Sequence, residues 1–143
     1  SAAKADGIRV AAIGKLTSSV PSGGHFVLPQ LLTDIPDGHE VLREELFGPV
    51  LVVQVFEDEA EALALANATD FGLCAGIWTR DGGRQLRLAK GIRSGQVFIN
   101  NYGAAGGVEL PFGGVGRSGH GREKGFEGLR SYTRIKTIAI KHG

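Results

Sequence analysis

Residues 50–100 decide the fold, and they read VLVVQVFEDEAEALALANATDFGLCAGIWTRDGGRQLRLAKGIRSGQVFIN. An apolar, mostly β-branched run at residues 50–56 is typical of a parallel strand that is covered on both faces. Strand-like runs return at residues 73–79 and 96–100, and a helical segment separates each run from the next. This alternation with short turns predicts a parallel α/β sheet.

Both helical segments begin with a clear capping signal. Asp58 is a good N-cap, and Glu61 follows three residues later, as in a capping box. Asp81 can cap a second helix that runs to Lys90, and Gly91 ends it. Helical spacing predicts an inward face for each helix, formed by Ala62, Leu65, Ala66 and Thr69 in the first and by Leu86 and Ala89 in the second.

Further elements are predicted on either side of this stretch. Residues 1–6 read as the last turn of a helix that Gly7 ends. Because so short a helix is unstable alone, we expect its earlier turns to precede Ser1. The remaining predictions are strands at residues 8–13 and 25–32, a turn-rich loop at 17–24, a short helix at 123–130 and a final strand at 134–141.

The final strand has no obvious neighbour, because it follows a long loop at the end of the chain. A lone strand needs a sheet to join. It can be an edge strand of the sheet already described, where Lys136 and Lys141 would protect the free edge. It can also pair outside this chain, with preceding sequence or with a second subunit.

Glycine is the compositional outlier, with 23 residues among 143, about twice its usual share of ~7%. The glycines cluster at residues 103–128, and Leu110, Phe112 and Phe126 are interleaved with them. This mixture favours a close-packed loop over a disordered one. The loop follows the strand that ends at Asn100, and binding loops of α/β sheets lie at the carboxyl ends of strands. It is therefore the first candidate for a functional site.

Charge and composition argue against several classes of function. Sixteen basic and 15 acidic side chains leave a net charge of +1, which predicts no nucleic-acid partner. The longest apolar run, residues 50–56, is far shorter than the ~20 residues of a membrane span, and no signal peptide is recognisable. Scattered histidines predict no metal site. The single cysteine, Cys74, favours a reducing, cytoplasmic setting.

One glycine pattern is a false lead. Gly114, Gly116 and Gly119 formally spell G-x-G-x-x-G, the dinucleotide fingerprint. That fingerprint follows a strand directly and has an acid about 20 residues later. Here about a dozen residues intervene, and Ala139 stands at the far position. The pattern therefore predicts no Rossmann site.

Three motifs together resemble the C-terminal end of the aldehyde dehydrogenase superfamily, in order and in spacing. The resemblance covers nearly the whole chain from about His25, with one departure at Gly116, where many relatives carry lysine. The motifs are Glu44-Glu45-Leu46-Phe47-Gly48-Pro49-Val50, then Pro111-Phe112-Gly113-Gly114-Val115-Gly116-Arg117-Ser118-Gly119 running into Gly121-Arg122-Glu123, then Tyr132-Thr133 with Lys136-Thr137.

The resemblance implies cofactor-binding roles for Glu45 and Phe47. Glu45 matches the glutamate that holds the nicotinamide ribose hydroxyls of NAD or NADP. The chemistry suits that role, because an ionised carboxylate accepts two hydrogen bonds and so binds a diol. Phe47 matches the aromatic residue that packs beside the ribose and the nicotinamide. The alternatives are a solvated loop acid for Glu45 and a core residue for Phe47.

The glycine loop carries two more matches. Phe112 matches an aromatic residue at the mouth of the aldehyde tunnel, although it can equally be packing for the loop. Glu123 matches an inner glutamate that assists proton movement, and so it is the one catalytic candidate. Its alternative role is to cap the short helix that follows. We expect Asn100 to order the turn after its strand rather than to do chemistry.

The family's reaction is the oxidation of an aldehyde to a carboxylic acid. A cysteine thiolate attacks the aldehyde, hydride leaves to the nicotinamide, and a glutamate activates water. The family's cysteine lies far upstream of the Glu-x-Phe-Gly-Pro segment, and only 44 residues precede Glu45. We therefore expect the nucleophile to lie outside this chain, which would be inactive alone. Cys74 is expected to be a buried and inert strand residue.

The implied architecture is a three-layer α/β fold, with a parallel sheet flanked by helices, as part of the catalytic domain. Residues 1–131 would belong to that domain, and residues 132–143 would form a terminal strand that makes a homo-oligomer. Two alternatives remain. The chain can be a non-catalytic interaction module that pairs through its last strand, or its parent can reduce acyl phosphates or acylate coenzyme A. The Pro-Phe-Gly-Gly segment at residues 111–114 disfavours the last of these.

Overall fold

The computed structural model describes residues 6–16, 18–102 and 107–143. The chain divides into two compact units, Ser1–Ala62 and Leu63–Gly143. The first unit contains a three-stranded sheet with the order β1-β2-β3. Its strands are β1 (Arg9–Ile13), β2 (Gln30–Thr33) and β3 (Val50–Val52), and a short 3-10 turn occupies Glu40–Leu42.

The second unit is built on a pair of parallel strands, β4 (Cys74–Ile77) and β5 (Gln96–Ile99). Helix α2 (Gly82–Gly91) connects the two strands. A 3-10 turn at Gly116–Ser118 and helix α3 (Gly125–Arg130) follow in the glycine-rich part of the chain. Helix α1 (Glu59–Ala66) lies where the chain passes from the first unit to the second.

The predicted helix starts are confirmed. The amide N–H of Glu61 donates to Oδ1 of Asp58 at 2.8 Å, and the Glu61 carboxylate accepts from the amide N–H of Glu57 at 2.7 Å. In the usual capping box, the glutamate side chain accepts from the amide N–H of the N-cap residue itself. Here it accepts from the residue before the N-cap. At α2, Oδ1 of Asp81 accepts from the amide N–H of Arg84 at 2.9 Å.

Asp81 provides a prediction about the pH dependence of stability. The hydrogen bond from the Arg84 amide holds the pKa of the Asp81 carboxyl below its ordinary value. A carboxyl whose pKa is lower in the folded chain stabilises the fold above its unfolded pKa, and that contribution is lost as the pH falls through the folded pKa. We expect Asp81→Ala to lower the midpoint of thermal unfolding at pH 7, and the difference from the parent chain to shrink in acid. Asp81→Asn is the matched control, since asparagine caps without a charge and should keep most of the stability at both pH values.

The prediction of one parallel sheet is wrong in two respects. The strands form two separate sheets, and β1 pairs with β2 in the antiparallel sense. The antiparallel pair arises because the chain reverses between the two strands, and the amide N–H of Gly14 donates to the carbonyl of Pro29 at 2.7 Å where they meet. The described residues therefore show α/β elements with the parallel pairs β2–β3 and β4–β5, and the three-layer arrangement stays a prediction.

The strands and helix faces also differ in detail from the predictions. Strand β3 stops at Val52, and Leu51 is exposed because it points to the opposite face of the sheet from the half-buried Val50 and Val52. The strand predicted at residues 25–32 begins only after Pro29.

The predicted helix faces are confirmed only in part. In α2, Ala89 is half-buried as predicted, but Leu86 is 61% exposed and the half-buried face is formed by residues 85, 88 and 89. Helix α1 half-buries Ala62 and Leu65 as predicted and leaves Ala66 exposed.

Cys74 is exposed rather than buried, because its side chain lies on the open face of β4. The helix end predicted at residues 1–6 lies almost wholly outside the described residues. Gly7 does have the positive φ of 79° that suits a residue ending a helix. Within the described ranges, no helix is both long and apolar enough to cross a membrane.

The last residues form neither helix nor strand. Residues 133–143 have no strand partner in either sheet, and Ile135 is 99% exposed. The hypothesis of an edge strand in the same sheet is therefore wrong. Pairing outside this chain, and with it the division at residue 131, stays a prediction.

Little of the apolar surface is buried within the described residues. The buried hydrophobic side chains are Ile8, Leu32 and Ile77. Many large hydrophobic side chains are exposed instead, among them Phe47, Phe126 and Tyr132. Exposed apolar patches are typical of surfaces that bind other protein.

Candidate functional site

In the first unit, the candidate cofactor residues lie on a tight turn that leads into β3. The amide N–H of Gly48 donates to the carbonyl of Leu46 at 2.7 Å, and the amide N–H of Val50 donates to the carbonyl of Gly48 at 2.8 Å. The carbonyl of Pro49 accepts from the amide N–H of Gln30 at 2.9 Å, which joins the turn to β2. The backbone therefore fixes the position of this turn relative to its sheet.

The side chains of Glu45 and Phe47 both reach the surface of the first unit. Phe47 is 95% exposed, so the hypothesis that it is a core residue of this chain is wrong. Glu45 is also exposed. A large aromatic side chain on a fixed turn, two residues from a carboxylate, offers one apolar and one hydrogen-bonding surface to a ligand.

In the second unit, Gly72 joins the glycine loop to β5. Its carbonyl accepts from the amide N–H groups of Gly95 and Val115, both at 3.0 Å. Its own amide N–H donates to Oγ of Ser118 at 3.0 Å. No side chain would fit at Gly72, since a Cβ there would overlap the carbonyl oxygen of Arg93 and lie 2.7 Å from the Val115 side chain. The loop is thus close-packed here, as the mixture of glycine and apolar residues predicted.

Phe112 and Glu123 lie opposite each other in the second unit. They form an antiparallel bridge, with Phe112 N–H to Glu123 O at 2.7 Å and Glu123 N–H to Phe112 O at 2.6 Å. Phe112 is half-buried, and Glu123 is exposed. The structure therefore brings together the substrate candidate and the catalytic candidate, which are 11 positions apart in the chain.

The helix-capping alternative for Glu123 is wrong. Helix α3 begins at Gly125, its N-cap residue is Lys124, and no side chain caps it. The packing alternative for Phe112 stays open, because a half-buried ring fits either role. Asn100 bonds across the strand pair: its Oδ1 accepts from Thr79 N–H at 2.9 Å and its Nδ2 donates to Thr79 O at 3.0 Å, so it orders the turn after β4. That it orders the turn after its own strand rather than doing chemistry stays a prediction.

Two residues of this site were missed in the sequence. Arg122 donates from Nη1 to the carbonyls of Gly114 at 2.9 Å and Gly121 at 2.6 Å, and so holds the glycine loop closed beside Phe112. Lys124 places its Nζ 5.5 Å from the centroid of the Phe112 ring. Arg122 lies inside the second motif and Lys124 directly follows it, but their contacts with residues 112–114 depend on the bridge between residues 112 and 123, which no local pattern predicts.

No cluster of His, Cys, Asp and Glu suited to a metal ion occurs among the residues that the structure describes. The formal G-x-G-x-x-G pattern lies in the 3-10 turn at Gly116–Ser118 and its flanks, away from the carboxyl end of any strand. The first unit thus carries a carboxylate and an aromatic ring on one turn. The second unit pairs an aromatic residue with an acidic residue across a β-bridge.

Comparison with known proteins identifies the family. The model described as the aldehyde dehydrogenase family matches residues 1–138. The chain belongs to the aldehyde dehydrogenase family. Betaine aldehyde dehydrogenase 1 of Rhizobium meliloti is 42% identical to this aldehyde dehydrogenase chain over 140 residues, which is 98% of the chain and 28% of the relative.

Solved structures agree with this assignment. A crystal structure from Burkholderia cenocepacia, assigned as an aldehyde dehydrogenase, matches with a TM-score of 0.90 and 62% identity, over 99% of this chain and 30% of that one. An NAD+ complex of an aldehyde dehydrogenase from Bacillus cereus matches with a TM-score of 0.84 and 38% identity, over 95% and 27%. The aldehyde dehydrogenase chain therefore spans less than a third of the length of these relatives.

Proposed function

We propose that this chain acts as one part of a longer enzyme that oxidises an aldehyde to a carboxylic acid with NAD or NADP. The observation that carries the proposal is the turn at residues 45–49. It presents a nearly fully exposed Phe47 and an exposed Glu45, on a backbone that is hydrogen-bonded to its sheet. The family match supports a nicotinamide cofactor as the ligand of this turn, and the Bacillus cereus relative is named as an NAD+ complex.

The residues present suit such a cofactor. A carboxylate that accepts two hydrogen bonds can hold the two hydroxyls of a ribose. An aromatic ring beside it provides an apolar surface for the nicotinamide. When bound, the nicotinamide supplies the acceptor for the hydride of the aldehyde. The turn itself binds and orients the cofactor, and its backbone hydrogen bonds hold Glu45 and Phe47 in position relative to each other.

The bridge between Phe112 and Glu123 provides the substrate side of the proposal. Phe112 would line the path of the aldehyde, and Glu123 would move a proton away from the reacting centre. Its exposed carboxylate can exchange protons with water, which suits a relay. Arg122 is a positioning residue, because it holds the carbonyls of the loop that carries Phe112.

The proposal predicts that the 143-residue chain is inactive alone. Oxidation by this route needs a cysteine thiolate, and Cys74 is the only cysteine of the chain. Cys74 belongs to β4, outside both candidate sites. When the purified chain is mixed with aldehyde and NAD, we expect the absorbance of NADH to stay at the level of a blank without protein. Turnover that disappears in the Cys74→Ser variant would contradict the proposal.

One observation favours a second candidate, an oligomerisation module. Residues 133–143 have no strand partner here, and their isoleucines are exposed. A strand that pairs with a second copy would explain both facts. We expect deletion of residues 132–143 to convert an oligomer into monomers, measured by light scattering after size-exclusion chromatography. An oligomer of unchanged mass would show that this segment does not hold the subunits together.

A further inference from the structure

Lys124 places a positive charge on the ring of Phe112. The distance of 5.5 Å from Nζ to the ring centroid is within the ~6 Å reach of a cation–π interaction. The ring is half-buried and the lysine is exposed. One face of Phe112 is therefore already occupied by a cation that belongs to the protein.

The backbone holds Lys124 in this position from both sides. Glu123 exchanges two hydrogen bonds with Phe112, and the amide N–H of Gly125 donates to the carbonyl of Val108 at 2.6 Å. Lys124 itself has a φ of 58° and a ψ of 176°, a backbone conformation that L-residues rarely adopt and that is strained. Because both neighbours are anchored, the root of the side chain stays beside the ring.

We infer that Lys124 determines specificity by disfavouring aldehydes that carry a positive charge, so that this enzyme prefers a neutral aldehyde to its cationic isostere. The inference rests on the proposed function, in which Phe112 lines the path of the aldehyde. Quaternary ammonium groups bind to aromatic faces, but a second cation at this ring would be repelled by the ammonium of Lys124. The substrate class thus differs from that in the name of the Rhizobium meliloti relative, since betaine aldehyde carries a trimethylammonium group.

Glu123 is a nearby acid, and its negative charge would favour a cationic aldehyde, whereas Lys124 disfavours one. It is the bridge partner of Phe112, and its carboxylate would attract a cation towards the same ring. Lys124 is the next residue in the chain and offsets that charge. A substitution at Lys124 alone therefore separates the effect of the lysine from that of the acid.

The experiment uses two aldehydes of the same shape and different charge, with the longer enzyme that contains these residues. Betaine aldehyde and 3,3-dimethylbutanal differ only in that a cationic nitrogen replaces a carbon. We expect kcat/KM to be about tenfold higher for the neutral aldehyde, because a cation on the free face of the ring would lie ~10 Å from Nζ of Lys124, and two like charges that far apart near a protein surface imply an effect of this size. In Lys124→Asn the ratio should approach one because kcat/KM for the cation rises. Asparagine is chosen because it removes the charge and keeps a polar side chain.

Lys124→Arg is the matched control, since it keeps the charge and should keep the preference. Salt provides a readout that a structural role would not give: the preference should shrink as ionic strength rises in the parent enzyme and not in Lys124→Asn. A parent enzyme that prefers the cation, or a Lys124→Asn variant with an unchanged ratio, overturns the inference and leaves the proposed function standing. Failure of the parent enzyme to oxidise either aldehyde overturns the proposed function and, with it, this inference.

Discussion

Substitution of Glu45 by alanine is expected to raise the dissociation constant for NAD about 100-fold in the longer enzyme. The carboxylate of Glu45 would accept hydrogen bonds from both ribose hydroxyls, and each bond to a charged group contributes about 1.5–3 kcal/mol. The loss of even the lower sum, about 3 kcal/mol, corresponds to roughly two orders of magnitude in affinity. Titration calorimetry or quenching of protein fluorescence by the cofactor measures it directly.

The neighbouring acid provides the control for this prediction. Glu44 precedes Glu45 on the same exposed segment, and Glu44→Gln removes the same charge one residue away. We expect that variant to bind NAD like the parent enzyme, because field effects of an exposed charge are screened by salt. An equal loss of affinity in both variants would indicate that net charge, rather than a contact with the ribose, is responsible.

Substitution of Gly95 by alanine is expected to destabilise the fold by about 3 kcal/mol or more. A Cβ at Gly95 would overlap the carbonyl oxygen of Gly113 and lie 3.1 Å from the Cα of Gly114. Those atoms are backbone, so no rotamer change relieves the clash. Movement of the glycine loop away from Gly95 would also break the bond from Val115 N–H to Gly72 O. Denaturant unfolding of the longer enzyme measures the loss of stability.

Gly82 is the matched control for Gly95. It begins α2, and a Cβ at that position would contact nothing within 4 Å. We expect Gly82→Ala to leave stability unchanged or to raise it by up to about 1 kcal/mol, since alanine loses less conformational entropy on folding. A Gly95→Ala variant as stable as Gly82→Ala would show that the loop does not pack against β5 as described.

Local sequence signals predicted the local structure well. Asp58 and Asp81 cap their helices, because each acts on a backbone group three residues later in the chain. The same signals did not predict the antiparallel partner of β2 or the exposure of Leu86 in α2. Both depend on what a segment packs against, and helical spacing alone is compatible with several rotations of the same helix.

The candidate site shows the same difference between local signals, which the sequence contains, and contacts that depend on packing, which it does not. Residue type and motif order predicted Glu45, Phe47, Phe112 and Glu123, and the structure pairs the last two. The contacts of Arg122 and Lys124 could not be predicted, because they exist only once residues 112 and 123 are bridged. The exposure of Cys74 was mispredicted for a related reason: an apolar strand residue looks buried when the element that would cover it is unknown.

We propose that the chain belongs to an aldehyde-oxidising enzyme whose nucleophile lies outside these 143 residues. To test this, the longer enzyme is mixed with aldehyde and NAD and quenched during turnover, and the acyl group is located by peptide mass spectrometry. We expect an acylated cysteine in a peptide from outside residues 1–143 and none at Cys74. An acyl group on Cys74 would contradict the proposal.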